Sequence, residues 1–183
     1  MRHHFRGDGD VRCAVQAEQL GTGHAVQQAL PLLPDDGVVV VLSGDVPLTQ
    51  ADTLQTLIDT CGGKQLALLT IEFADPTGYG RIVRDESGAV ASIVEHEDAS
   101  EQQRSIAEIN SGIYVFAADA LRTALAQVTR ENAQGEEYLT DVLQIQRTMN
   151  LRVAAYLADG RGRLSIAIGC TGGRHRSVAI VEA

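Results

Sequence analysis

The chain has 183 residues, 44% of them apolar and 21% charged, and carries a formal net charge of −9. That is room for one well-buried soluble domain, and the negative balance argues against nucleic acid or an anionic membrane surface as a partner. No stretch approaches the roughly 18 consecutive apolar residues of a membrane span. The opening Met1–Arg6 leads no apolar signal core. Three scattered cysteines (Cys13, Cys61, Cys170) fit a reducing cytoplasm better than a disulfide framework. Trp is absent, so the core is expected to be aliphatic.

In chain order, residues 24–33 read as a helix opened by Gly21-Thr-Gly23. The β-branched run Val38–Leu42 reads as a buried strand of a parallel sheet. The loop Ser43-Gly-Asp-Val-Pro47 follows, then Thr49-Gln-Ala-Asp52, which resembles a capping box for a helix running to about Cys61. Gly62-Gly63 ends that helix, and residues 66–73 form the next strand. Residues 81–84 and 89–95 flank Asp85-Glu-Ser-Gly88, a hairpin signal. Residues 112–116 are a strand, 118–128 a helix, and 137–149 a helix by the spacing of Leu139, Val142, Leu143 and Ile145. Strands at 151–157 and 164–168 complete the pattern, with a polar, glycine-rich link at 159–163 between them. Strand–helix alternation with one hairpin predicts an α/β fold with a mainly parallel sheet.

Open α/β sheets hold ligands at the carboxyl ends of their strands. Two loops fall there: Leu20-Gly-Thr-Gly-His24, whose glycines let a backbone approach closely before a helix N-terminus, and Gly44-Asp45, a carboxylate suited to a hard cation. Each alone also reads as a simple turn. The loop Asp75-Pro-Thr-Gly-Tyr-Gly-Arg81 enters the hairpin, and Glu95, His96 and Asn110 stand at or near strand ends, where polar side chains suit hydroxyl recognition.

Together these segments resemble the uridyltransferase domain of the bacterial GlmU family over residues 11 to about 144. The shared motifs are Gln16-Ala-Glu-Gln-Leu-Gly-Thr-Gly-His-Ala25, Gly44-Asp-Val-Pro-Leu48, Asp75-Pro-Thr-Gly-Tyr-Gly-Arg-Ile82, Ile93-Val-Glu-His96, Glu108-Ile-Asn-Ser-Gly-Ile113 and Tyr138-Leu-Thr-Asp141. The resemblance implies a Rossmann-like nucleotidyltransferase fold and a reaction of UTP with N-acetylglucosamine 1-phosphate, giving UDP-N-acetylglucosamine, a cell-wall precursor, and pyrophosphate. It implies that Gln16, Gly21 and Thr22 hold the uracil, and that Ser43 and Gly44 border the substrate. Asp45 would bind Mg2+ and act in catalysis. Gly80, Glu95 and Asn110 would hold the amino sugar in a pocket lined by Tyr79, Tyr138 and Thr140.

The family's opening strand and its Gly-rich triphosphate loop have no counterpart in residues 1–10, so the resemblance implies a domain lacking its first strand–helix unit, with reduced or no activity. A module that binds UDP-N-acetylglucosamine without turnover is the alternative. No trimer is assumed, and a homo-oligomer is left open.

The chain is therefore expected to divide into a partial nucleotidyltransferase domain, 1–158, and a tail, 159–183. Leu164–Val178 resembles the C-terminal motif of the RapZ RNase adapter family: a strand, a loop and a helix cut at Ala183. Cys170, Gly173, Arg176 and Ser177 have the spacing of a phosphatase-type anion loop. Phosphatase catalysis is disfavoured because Gly169 stands where a His is usual. Anion binding and a remnant without function stay open, and a fusion of two gene fragments is the simplest origin.

Overall fold

A computed structural model describes residues 12–44, 49–157 and 178–182. The element order is α1 (Thr22–Ala29), β1 (Val38–Ser43), α2 (Ala51–Cys61), β2 (Leu66–Glu72), β3 (Arg81–Arg84), β4 (Val90–Val94), α3 (Glu101–Arg104), β5 (Glu108–Ala117), α4 (Ala118–Leu125), α5 (Asp141–Thr148), β6 (Val153–Leu157) and β7 (Val178–Glu182). The strands form one sheet with helices on both faces. Alternation along the strands builds the two sides. Val39, Val41, Leu66 and Leu68 face one way and pack with Val26 of α1, Leu121 of α4 and Val142 of α5. Val40, Ala67 and Leu69 face the other way and pack with Leu57 and Cys61 of α2. The aliphatic core and the α/β class expected from the sequence are both present.

Strand direction differs from the expectation of a mainly parallel sheet. Only β2 and β6 pair in parallel; every other described ladder is antiparallel. The reason lies in β5. It follows the β3–β4 hairpin and runs antiparallel to β3. It enters antiparallel and lies between β1 and β2, which would otherwise be parallel neighbours.

Other boundaries moved for local reasons. α2 has Gln50 at its N-cap and no side-chain cap, so the Thr49–Asp52 capping box is not formed. A capping box does form at α3, where Ser100 and Gln103 bond reciprocally. The helix expected from residue 137 starts at Asp141, because the backbone of 137–139 is bonded to the loop before α1. At the other end of the chain, Val178–Glu182 pairs antiparallel with β1 where a helix was expected. The predicted strand 164–168 and the link 159–163 lie outside the described residues.

β5 carries a wide irregularity. Between Leu68↔Tyr114 and Thr70↔Asn110, two steps along β2 match four along β5. The displaced backbone is satisfied from its own side chains: Asn110 Oδ1 accepts from Gly112 N at 3.1 Å, and Ser111 Oγ accepts from Ile113 N at 3.2 Å while donating to Leu69 O at 2.7 Å. Gly112 sits there at φ 77°, and a Cβ on it would lie 3.3 Å from Ser43 Cβ. Past this point β5 leaves β1, which pairs with 114–117, and takes up β3 at Ile109. The sheet therefore opens where β1 ends and β3 begins.

The far end of β5 is fixed by a two-pronged ion pair, Arg84 Nη2 to Glu108 Oε1 at 2.6 Å and Nε to Oε2 at 2.8 Å. Burial alone would raise the Glu108 carboxyl, but the hydrogen bonds and charge of Arg84 hold it below the ordinary value. A depressed carboxyl contributes stability that is present above its unfolded value and lost as pH falls through the folded one. Arg84→Gln should therefore lower stability at pH 7 by about 1 kcal/mol, with the difference from wild type vanishing below about pH 3–4. Urea titrations at both pH values measure this, and an equal difference at both would refute it.

Candidate active site

The loop before α1 is built on close backbone contact. Gly21 is the N-cap of α1 at φ 114°, and Thr22 opens the helix. Gly23 N donates to Glu137 O at 2.7 Å and Glu137 N donates to Leu20 O at 2.7 Å. Leu139 N donates to Thr22 Oγ1 at 3.0 Å. A Cβ on Gly21 would lie 2.4 Å from Glu137 O, so no other residue fits this contact. Gln16 reaches back over the loop, with Nε2 3.1 Å from Gly21 O and 3.0 Å from His24 Nδ1, and Gln28 holds the other ring nitrogen at 3.1 Å. The three residues expected to meet a base thus form one unit.

A second unit assembles where β3 and β4 meet β5. Gly80 O accepts from Asn110 N at 2.9 Å. Asn110 Nδ2 is 2.5 Å from Tyr114 Oη. A Cβ on Gly80 would lie 3.3 Å from Glu95 Oε2, so the missing side chain leaves room for that carboxylate. Tyr79 packs edge-on against Phe73 with centroids 5.7 Å apart. Gly80, Glu95 and Asn110, far apart in sequence, are brought together by the β3–β4 hairpin and by the irregularity in β5.

The short segment 137–140 links the two units. Its Glu137 and Leu139 main chain grips the α1 loop, and Thr140 Oγ1 donates to Glu95 Oε1 at 3.0 Å. Thr140 begins α5 without capping it by its side chain, because its hydroxyl is turned to Glu95. Tyr138 is 7% exposed. Burial, and then the carboxylates of Asp98, Glu95 and Glu136, push its phenol well above the ordinary value, so it remains a proton donor. The Asp141 carboxyl is raised by burial and by Asp98. Asp98 Oδ1 in turn accepts from Ala133 N at 2.8 Å, tying the 130–136 loop to this edge.

Ser43 and Gly44 sit at the open end of β1, with Ser43 against Gly112. Asp45 lies outside the described residues, as do Cys170, Gly173, Arg176 and Ser177. Among the described residues no cluster of three or more His, Cys, Asp or Glu side chains is arranged to hold a metal. No helix among them is long and apolar enough to cross a membrane.

Sequence reasoning missed Glu137, whose main chain grips the loop, and Asp98. The pair Gly21 and Gly23 did signal a close backbone approach, but nothing local names a partner more than a hundred residues away.

The family pattern described as "Nucleotidyl transferase" matches residues 3–161. The chain is 57% identical over 147 residues to "Bifunctional protein GlmU" of Paracidovorax citrulli (strain AAC00-1), covering 80% of this chain and 31% of that protein. It is 56% identical to the protein of the same name from Cellvibrio japonicus (strain Ueda107), over 75% of this chain and 30% of the relative. The one from Cupriavidus metallidurans (strain ATCC 43123 / DSM 2839 / NBRC 102507 / CH34) is also 56% identical, over 79% and 31%. The chain thus spans about a third of the length of these curated relatives.

Proposed function

This chain belongs to the nucleotidyl transferase family, and we propose that it is a sugar-nucleotide uridyltransferase domain, joining UTP and N-acetylglucosamine 1-phosphate into UDP-N-acetylglucosamine with release of pyrophosphate. The observation that carries this reading is the single segment 137–140, which borders a glycine-rich loop on one side and a carboxylate–amide pair on the other. A ligand with a base at one end and a sugar at the other matches that layout. Gln16, whose Nε2 is engaged by Gly21 O and His24 Nδ1, offers its amide oxygen as an acceptor for the N–H of uracil. Glu95 and Asn110 offer an acceptor pair and an amide to sugar hydroxyls, with Gly80 leaving space between them.

The sugar phosphate oxygen attacks the α-phosphorus in line, and pyrophosphate leaves from the opposite side. Such transfers depend on positioning and charge neutralisation. The residues above hold base and sugar so that the phosphates meet at the open end of β1. Asp45, two residues beyond that strand, supplies hard oxygen donors of the kind Mg2+ takes. Bound there, the ion would neutralise charge on the phosphates.

We place the chain in the cytoplasm, the reducing compartment that its cysteine usage fits, with UTP and the sugar phosphate as its small-molecule partners and oligomerisation open. The division at residue 158 and an anion-binding role for Cys170, Gly173, Arg176 and Ser177 are further parts of this proposal.

Pyrophosphate release with UTP, N-acetylglucosamine 1-phosphate and Mg2+ tests the reaction. Calorimetry with UDP-N-acetylglucosamine and UTP separates turnover from binding alone. Failure of the chain to bind either nucleotide would overturn both. Within this reading, Thr140→Val should weaken UDP-N-acetylglucosamine binding about fivefold to tenfold by leaving Glu95 without one donor. UDP affinity should stay constant. An unchanged affinity for the sugar nucleotide would remove the Thr140–Glu95 bond from the recognition scheme.

A further inference from the structure

Arg81 is 1% exposed and ranks among the largest fully buried side chains of the protein. Among the described residues it forms no ion pair within 4.0 Å. Its fork is instead spent on main-chain carbonyls and a ring nitrogen. Nη1 donates to Tyr79 O, Nε and Nη2 each lie 3.4 Å from Arg104 O, and Nη2 lies 3.5 Å from His96 Nδ1. Burial and the charge of Arg104 both work against its cationic form, and only the more distant Asp75 favours it. A buried charge without a carboxylate partner is expensive to keep, and an apolar side chain of similar length would fill the same space.

The acceptors explain what the charge does. Tyr79 precedes Gly80, His96 follows Glu95, and Arg104 ends α3. Arg81 itself pairs with Ile109, the neighbour of Asn110. All three residues of the sugar-facing unit are thus adjacent to a group that Arg81 holds. The effect is sharpest at the Tyr79–Gly80 peptide. Its carbonyl is gripped by the guanidinium, and the next carbonyl, of Gly80, by Asn110 N at 2.9 Å. In a planar trans peptide the N–H points opposite to the C=O. Gripping the Tyr79 carbonyl therefore turns the Gly80 N–H away from the guanidinium and sets its direction.

We infer that Arg81 is a positioning residue for the sugar half of the site, fixing the Tyr79–Gly80 peptide against Glu95 and Asn110. The inference rests on the uridyltransferase reading and names a specificity device within it. Arg81 acts through main-chain geometry, so it should govern the sugar increment, the ratio of the Kd for UDP to the Kd for UDP-N-acetylglucosamine, and leave the Kd for UDP unchanged.

Calorimetry on the whole chain with both ligands measures that ratio in wild type, Arg81→Lys and Arg81→Met. Lysine keeps the charge but has no fork, so the sugar increment should fall roughly tenfold in both variants, as for a site displaced by a fraction of an ångström. If Arg81→Met does not fold, Arg81→Lys carries the comparison. A measurement on the wild type needs no variant: the Arg81 Nε–H resonance should shift on adding UDP-N-acetylglucosamine and stay in place with UDP. An intact sugar increment in Arg81→Lys overturns the inference, even with a lowered Tm, because Arg81 is then only structural. An Arg81 resonance that answers equally to both ligands does the same. A wild-type protein that binds UDP with no sugar increment overturns the sugar reading itself, and the inference with it.

Discussion

Gly21→Ala should abolish nucleotide binding and destabilise the fold by about 3–5 kcal/mol, combining a strained backbone with overpacking. Gly21 sits at φ 114°, where a side chain is strained whatever the space around it. The space is also taken: the added carbon would meet Glu137 O at 2.4 Å, Glu137 N at 2.8 Å and Glu137 C at 2.9 Å. All three are main-chain atoms, so no rotamer change relieves the clash. Segment 137–140 must move off the loop, breaking the paired bonds of Leu20 and Gly23 to Glu137 and shifting Thr140 from Glu95. Urea unfolding and calorimetry with UDP-N-acetylglucosamine read the two effects together. A loss of stability under 1 kcal/mol with binding retained would show that this contact is looser than described. Gly135→Ala serves as the comparison: it too has positive φ, at 66°, but nothing lies within 4 Å of its Cβ position, so only the backbone term applies.

Asp45→Asn should lower the rate of pyrophosphate release at least about 100-fold, the scale of several kcal/mol of lost phosphate neutralisation. Binding of UDP-N-acetylglucosamine without added Mg2+ should change little, since other residues are proposed to hold the base and the sugar. The assignment rests on the Gly44-Asp-Val-Pro-Leu48 motif and on the open end of β1 that precedes it. Asn keeps size and one oxygen but loses the charge, so the experiment isolates the electrostatic part. Raising Mg2+ should recover part of the rate. Wild-type turnover in the variant at low Mg2+ would move the metal ligand to another residue.

What was legible in the sequence was what neighbours decide. The hairpin turn is one case: Asp85 Oδ1 accepts from Ser87 N at 3.0 Å and from Ala89 N at 3.1 Å, within five residues. The strand Val38–Ser43 and the helix ending at Gly62 follow from composition and a left-handed cap in the same way. The extra residues in β5 were not legible, because they are set by which strands flank it. The start of α5 was misread for a related reason. Leu139, Val142 and Leu143 do have helical spacing, but the backbone of 137–139 finds its partners in residues 20–23. A periodicity argument has no access to a competing hydrogen-bond acceptor elsewhere in the chain. Motif resemblance named Gln16, Gly21, Glu95, Asn110 and Thr140 as site residues, and the structure sets Gln16 on Gly21 and Thr140 on Glu95. It was silent on how the two units are joined.

That junction has a thermodynamic consequence. One short segment borders both proposed binding units, so a ligand that orders it from one side lowers the entropy still to be lost when the other side fills. Base and sugar should therefore bind cooperatively, and linkage requires the effect to be reciprocal: UTP should tighten the sugar phosphate by the same factor as the sugar phosphate tightens UTP. Calorimetry in both orders of addition, under conditions that block turnover, measures the factor. Thr140→Val, which cuts the junction at its sugar end, should bring it toward one.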